Sequence, residues 1–364
     1  MKGRAAVLMG EKDIAVQEFE LPAVEPEAVL LEVIKANVCG SDLHIWRGLH
    51  PVIKKGVVMG HEFIGRIFKL GEGVTTDYAG VPVRVGDRVV APYFLTCLKC
   101  FPCLRGEFAL CQNAYKYFSA TPETPPHFHG SYSTHYYIHP NQYFYKVPDI
   151  ISNEVAAGAN CGLSQVFYGL AKANLSAGET VVIQGAGGLG LHAGAVAKEM
   201  GARVIFIEGA SERLEFAKAF GADHLLDMKV LSKVEERAEE IKKITESDGA
   251  DVVLEVTGVP AAFAEALQLV RPGGRVVEIG NILIGPEFEV PISPGLITRK
   301  SIAVKGIVRY DPWYLQRSLK FLERNQRKFP YEKFSDRQYT LGEAKVALER
   351  SESRSIARAI IAPN

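Results

Sequence analysis

The apolar and polar positions of the chain fall into two textures. Up to about residue 150 the apolar runs are short and irregular, and residues 28–35 (AVLLEVIK), 62–70 (EFIGRIFKL) and 85–91 (VGDRVVA) read as strands. Gly71, Gly73, Gly80, Pro82 and Gly86 separate them, which predicts an irregular β-rich unit. Short strands also fit residues 57–58 and 136–138. Residues 106–141 are rich in aromatics and histidines but have no clean period. Beyond about residue 156, β-type runs alternate with helical patterns. Residues 180–184 (TVVIQ), 203–207, 224–226, 251–256 and 275–280 predict buried strands, and 191–200, 213–220, 229–245 and 261–270 predict the helices between them. Right-handed crossovers would build these into a doubly wound parallel sheet with its ligand at the carboxyl ends of the strands.

The first of these strands runs directly into Gly185-Ala186-Gly187-Gly188-Leu189-Gly190. A helix and a second strand follow, ending at the acidic Glu208. This is the G-x-G-x-x-G fingerprint in its required context: glycines let the backbone turn and approach a pyrophosphate, which rests on the helix N-terminus. Glu208 falls where a carboxylate hydrogen-bonds the adenosine ribose and repels a 2′-phosphate, so NAD is expected over NADP. Arg213, five residues on, argues the other way if it folds back; otherwise it is a solvated helix residue.

Cysteine placement adds metal chemistry. Cys97, Cys100, Cys103 and Cys111 are spaced C-x2-C-x2-C-x7-C, as for a closed four-thiolate structural zinc site. Cys39 and Cys161 lie apart. With His61 of the Gly60-His61-Glu62 motif they would supply three ligands and leave a fourth position open, the pattern of a catalytic zinc. Such a zinc acts as a Lewis acid on an alcohol or carbonyl oxygen. Ser41 and His44 of Cys39-Gly40-Ser41-Asp42-Leu43-His44 are placed to carry a proton to solvent, and Asp42 to orient the ligand histidine. The bland reading of Asp42 and His44 is that they cap a turn.

At 364 residues the chain favours two domains. Lys plus Arg balance Asp plus Glu at 42 each, so no global field draws the protein to nucleic acid or to an acidic membrane. The apolar run at residues 5–9 is too brief for a signal-peptide core, and no run is apolar for the length of a bilayer crossing. A cytoplasmic, reducing setting is expected. The histidines at 127, 129, 135 and 139 lack zinc-ligand spacing and are read as packing or surface residues.

The motifs together resemble the zinc-dependent medium-chain dehydrogenases, the family that includes the alcohol dehydrogenases. The resemblance runs almost end to end: CGSDLH at 39–44, GHEFIG at 60–65, GDRV at 86–89, the four-cysteine stretch, GAGGLG at 185–190, GADHLLD at 221–227, DVVLEVTG at 251–258 and RPGGRVVEIG at 271–280. It implies an α/β protein with a GroES-like β-rich catalytic domain formed by residues 1–161 and 308–364. A Rossmann cofactor domain over 162–307 would interrupt it. It implies two zinc ions per chain and NAD, with Cys39, His61 and Cys161 on the catalytic zinc. Glu62 would be the carboxylate able to approach that metal, and Ser41 and His44 the proton relay. Gly185, Gly187, Gly188, Leu189, Gly190, Glu208 and Arg213 would form the cofactor site. Trp46, Tyr93 and residues 115–129 would line or approach the substrate pocket.

The chain departs from the family in two places. Cys161 stands where the polyol branch often has glutamate, which tilts the ligand set toward the alcohol dehydrogenases. Ser164-Gln165-Val166 replaces a smaller run on the helix expected beside the nicotinamide. An aromatic pocket suits a bulky or apolar alcohol, whereas Arg47, His50, Lys54 and Lys55 would suit an anionic group. The leading expectation is a NAD-dependent zinc alcohol dehydrogenase for primary or secondary alcohols. The alternatives are a NADP-dependent carbonyl reductase, a polyol or sugar dehydrogenase, internal redox chemistry on bound NAD, and a non-catalytic zinc- and nucleotide-binding protein. The strand at 302–308 lies where relatives pair subunits, so a homodimer or homotetramer is expected.

Overall fold

The computed structural model describes all residues except 54, 336, 354, 355 and 357. The chain divides into two compact units, Met1–Ser164 with Arg309–Asn364, and Gln165–Val308. No helix among the described residues is long and apolar enough to cross a membrane.

In the second unit, six parallel strands stand in the order His224–Asp227, Arg203–Glu208, Thr180–Gln184, Ala250–Glu255, Val270–Glu278, Ala303–Gly306. Thr180–Gln184 is buried at every position because helices cover both faces of a parallel sheet. Chain order reverses between this strand and Ala250–Glu255, the switch point where such sheets open to a ligand. The core gathers Val182, Ile205, Val253 and Val276 from four of the strands. Three of the expected helices are shifted by one to three residues. The helix expected from residue 229 begins only at Val234, with the Glu236 carboxylate accepting from the Lys233 N–H to cap it.

Among the described residues the first unit has a seven-stranded sheet, running Gln338–Thr340, Ile360–Ala362, Val29–Asn37, Glu62–Leu70, Arg88–Val90, Tyr145–Lys146, with His135–Ile138 also paired to Val29–Asn37. The C-terminal tail thus supplies two strands to a sheet begun near the N-terminus. A separate antiparallel hairpin, Lys2–Gly10 with Asp13–Glu20, has no counterpart in the sequence reading. Its second strand is only half covered, so its apolar positions give no clean alternation. Around the sheet, Val33, Ile67, Val89, Tyr136 and Ile361 form one apolar core.

Candidate active site

The segment after strand Val29–Asn37 is a helix, Gly40–Trp46, with Cys39 as its N-cap. Asp42, at the third helical position, accepts a hydrogen bond from the Cys39 N–H at 2.9 Å, the reciprocal half of a capping box. The other Asp42 oxygen lies 2.8 Å from His61 Nδ1, which turns His61 Nε2 toward the two cysteines. Tyr132 donates to Asp42 at 2.9 Å and holds the carboxylate from behind. Cys161 lies in a fully buried π-helical turn, Ala159–Leu163. Its neighbour Asn160 donates to His61 O at 2.9 Å and to Ala91 O at 2.8 Å, which fixes the turn against strand Glu62–Leu70.

Cys39, His61, Glu62 and Cys161 each present a ligand atom, and these atoms all lie within 4.8 Å of one another in a buried setting. Cys161 Sγ is 3.4 Å from His61 Nε2. A zinc tetrahedron with ordinary Zn–S and Zn–N lengths has edges of about 3.4–3.8 Å, so the donor set fits the ion. Glu62 is also paired with Arg358, whose Nη1 is 3.0 Å from its carboxylate. Burial pushes the Glu62 carboxyl up to about 8, and the guanidinium opposes that rise. Hydrogen bonding from Cys161 lowers Cys39 well below an ordinary thiol, while the same contact raises Cys161. Burial works to lower His61, but the Asp42 carboxylate overcomes it and the ring sits well above an ordinary histidine.

Ser41 Oγ is 3.3 Å from His61 Nε2, beside the donor set. His44 lies on the next turn of the same helix, and its buried Nδ1 has no hydrogen-bond partner among the described residues. Burial, aided by the Arg47 charge, lowers His44 below the usual range, so its ring is neutral and able to accept a proton. Tyr93 meets His61 edge-on at 4.8 Å between ring centroids, and Phe118 does so at 5.9 Å. Trp46 belongs to the same apolar cluster as Phe118. It is 1% exposed in the apolar core, with the Lys12 ammonium 5.1 Å from its ring.

Of the residues read as suiting an anionic group, Arg47 and His50 have partners within the first unit. Arg47 pairs with Glu352 at 2.8 Å, and His50 Nδ1 accepts from the Val52 and Ile53 N–H groups. Lys54 lies outside the described residues. The histidines at 127, 129, 135 and 139 each make packing contacts, with Phe19, Tyr117, Phe68 and Tyr117 respectively.

Cys97, Cys100, Cys103 and Cys111 converge as a second group within the same ligand-atom limit. Backbone N–H groups of Cys97 and Cys100 donate to the sulfurs of Cys111 and Cys97, both at 3.3 Å, as does the Asn113 amide to Cys97. Burial works to raise Cys97, but the Lys99 N–H, the Asn113 amide and the Cys100 N–H prevail and bring it down to about 6. A thiolate stabilised in this way is ready for a metal.

In the second unit, Gly187 caps the helix Gly188–Glu199, which Gly188, Leu189 and Gly190 open. Gly185 has φ +100, a conformation that a side chain would strain. Glu208 accepts from the Ala186 N–H at 2.9 Å and from Gly209 and Ala210 at 2.8 and 3.0 Å, so it orders the loop as well as ending its strand. Arg213 does fold back: its Nη1 lies 3.8 Å from where a Cβ on Gly187 would be. Gln165 donates to Ile307 O at 3.4 Å, which ties the helix Ser164–Lys172 to the sheet-side segment.

Comparison with known proteins agrees with this geometry. The alcohol dehydrogenase GroES-like domain family matches residues 25–149, and the zinc-binding dehydrogenase family matches residues 188–324. The chain is 32% identical over 360 residues to a 5-exo-hydroxycamphor dehydrogenase of Pseudomonas putida, covering 98% of each chain. The chain belongs to the zinc-dependent medium-chain dehydrogenases. It is also 34% identical to the sorbitol dehydrogenase of Bacillus subtilis, covering 85% of this chain and 83% of that one. A solved alcohol dehydrogenase from Thermotoga maritima superposes with a TM-score of 0.93 at 33% identity, over 100% of both chains. As a zinc-dependent medium-chain dehydrogenase, the protein is an oxidoreductase of CH–OH donors that uses zinc and a nicotinamide dinucleotide.

Three residues around this dehydrogenase site were not found from sequence: Tyr132, Asn160 and Arg358. Tyr132 lies in the stretch without period and Arg358 in the tail. Asn160 directly precedes Cys161, and that adjacency was the one usable signal.

Proposed function

We propose that the chain is a NAD-dependent zinc alcohol dehydrogenase that transfers hydride reversibly between a primary or secondary alcohol and NAD. The observation that carries this reading is the buried convergence of Cys39, His61 and Cys161, with Glu62 beside them engaged by Arg358. Three donors hold the ion in this reading, with a fourth position for substrate. When bound, zinc supplies a Lewis acid for the alcohol or carbonyl oxygen, and the dinucleotide supplies the hydride acceptor.

The chain's own residues divide the remaining work. Cys39, His61 and Cys161 hold the catalytic ion, and Cys97, Cys100, Cys103 and Cys111 hold the structural one. Asp42 keeps His61 in one tautomer with Nε2 facing inward. Ser41 takes up the alcohol proton beside the donor set, and neutral His44 receives it on the way to solvent. Tyr93 and Phe118 present aromatic faces and edges beside His61 and exclude water, which suits an apolar alcohol. Residues 1–161 with 308–364 form the catalytic part in this reading, and 162–307 the cofactor part. The same reading takes the protein as a cytoplasmic homodimer or homotetramer; six free thiols and the exposed edge strand Ala303–Gly306 support it.

Two further readings each have an observation in favour. Arg213, folded back over Gly187, favours NADP as the cofactor. Similarity to the Bacillus subtilis sorbitol dehydrogenase favours a polyol substrate. The test is reduction of NAD and of NADP over a panel of primary, secondary, aromatic and polyol alcohols, with and without a zinc chelator. Chelator-sensitive turnover with NAD on apolar alcohols is the expected result. Turnover confined to polyols or to NADP would replace this reading with the corresponding alternative, and silence from zinc-loaded protein would overturn it.

A further inference from the structure

A pair of carboxyl groups at the carboxyl ends of two central strands has no place in the chemistry above. Glu255 ends strand Ala250–Glu255, Glu278 ends strand Val270–Glu278, and the two residues are register partners. Glu255 is fully buried. One of its oxygens accepts from the Thr257 N–H at 2.6 Å, from the Thr257 hydroxyl and from the Gly258 N–H at 3.1 Å. The other accepts from the Asn281 amide at 3.1 Å. Glu278 Oε1 accepts from the Asn281 N–H at 2.9 Å and from its amide at 3.2 Å. Glu278 Oε2 is buried and receives no donor. Gly280 is pressed so closely on the Glu255 carboxylate that a Cβ there would collide with it.

The groups that bear on Glu278 are Glu255 from the neighbouring strand and Asn281 from the turn after its own. The next strand along brings Gln184, whose amide is turned to Glu265 and Ala262 O, and the nearby cation Arg237 is spent on Glu265 at 2.5 Å. No cation therefore compensates the pair among the described residues. With Glu255 fully buried, Glu278 half-buried beside it and no cation at hand, ionising both carboxyl groups is costly, and a proton kept by Glu278 relieves that cost. The orphaned Oε2 is the atom that needs such a proton.

The pair connects to the cofactor loop through Thr257. The position a Cβ would take on Gly185, the first glycine of that loop, lies 2.9 Å from Thr257 Cγ2. Thr257 is in turn fixed by Glu255 through both its N–H and its hydroxyl. We propose that Glu255 and Glu278 share one proton and, through Thr257, set the first turn of the dinucleotide-binding loop, so that dinucleotide affinity falls when the proton leaves. They are positioning residues and touch no reacting atom. The inference rests on the second unit's holding the dinucleotide.

Burial, with the Glu255 charge and hydrogen bond, pushes Glu278 up to about 8, so the change falls in an accessible range. The experiment is NADH binding, followed by fluorescence from pH 6.5 to 9.5, on the whole zinc-loaded protein and on Glu278→Gln, whose amide donates at every pH. In the wild type the dissociation constant should rise roughly threefold or more between pH 7 and 9.5, and in Glu278→Gln it should stay nearly flat. Equal slopes in the two proteins would overturn the proposal.

Melting curves provide a second readout that needs no ligand. A carboxyl raised from 4.5 to about 8 on folding gives stability that is full below the lower value and lost as pH rises toward the upper one. Glu278→Gln should therefore gain on the wild type from about pH 4.5 to 8 and hold that gain above. A constant difference refutes the shared proton. Absence of NADH binding at every pH, together with the expected melting difference, would instead overturn the loop-setting role and the cofactor reading and leave the proton pair standing.

Discussion

Arg358 and Glu62 form a buried ion pair in which the guanidinium Nη1 lies 3.0 Å from the carboxylate, with 3% and 0% of the two side chains exposed. The residues come from opposite ends of the chain and meet beside Cys39 and His61 because the tail strand Ile360–Ala362 pairs antiparallel with Val29–Asn37. Charge placed at such depth is retained only if it is compensated. Here the compensation comes from Arg358, which pairs with the acidic member of the donor cluster.

Replacing Arg358 with Ala leaves Glu62 buried without its cation. Removing one partner of a buried pair costs about 3–5 kcal/mol, so Arg358→Ala should lower unfolding stability by about that amount. The double variant Arg358→Ala with Glu62→Gln should recover much of the loss. Urea unfolding of all four proteins in the cycle measures the coupling, and purely additive losses would show that the pair carries none.

Asp42 serves three donors, the Cys39 N–H, the Tyr132 hydroxyl and the His61 ring. Asp42→Ala frees the imidazole to rotate and removes the cap of the helix that begins beside Cys39. Zinc affinity at this cluster should fall about 10–100-fold, with turnover falling in parallel. Competition with a chromophoric chelator reads the affinity directly. An unchanged affinity would mean that packing by Tyr93 and Phe118 alone orients His61.

His139 gives a pH dependence of the opposite sign to that of Glu278. Burial, with the His129 and Lys116 charges, holds its ring down to about 3, and it stacks on Tyr117 at 3.3 Å between centroids. A base depressed on folding binds fewer protons in the native state than in the unfolded chain. Its stability contribution is complete above the ordinary value of 6.5 and lost as pH falls from there toward about 3. His139→Phe keeps the stack and cannot titrate, so it should resist acid better than the wild type, by on the order of 3 kcal/mol at the low end. Parallel acid-unfolding curves for the two proteins would refute this.

How much of this was legible in the sequence depends on how far each feature lies from its partners. The parallel sheet could be read because strands such as Thr180–Gln184 are buried on both faces and show as unbroken apolar runs. The convergence of the two Cys/His clusters could be read because these side chains are chemically specific, so that even widely separated residues point to a common task. Helix Gly40–Trp46 could not be read: it is seven residues long, contains glycine and aspartate, and owes its start to a cap that pays only once Asp42 also meets His61. Trp46, read beside the pocket because it follows the motif, ends the same helix in the apolar cluster that also holds Phe118. Arg358 and Tyr132 carry no local pattern, since their roles arise only from tertiary contact with Glu62 and Asp42.

Glu208 and Arg213 both lie at the glycine loop, where the proposed reading has the first favour NAD and the second NADP. Glu208 turns its carboxylate to the N–H groups of Ala186, Gly209 and Ala210, so it stands close to the loop. Arg213 brings a guanidinium over Gly187, a cation suited to a phosphate. If Glu208 dominates, Glu208→Ala should shift the ratio of kcat/KM for NAD over NADP toward NADP by roughly tenfold or more, a difference of about 1.4 kcal/mol in transition-state binding. Arg213→Ala should then cost NADP more than NAD, because the loss of a phosphate-facing cation is felt chiefly by the phosphorylated ribose. Steady-state kinetics with both dinucleotides on each variant measure the two ratios. A wild type that already prefers NADP, with Arg213→Ala reversing the preference, would make Arg213 the deciding residue and leave Glu208 the architect of the loop alone.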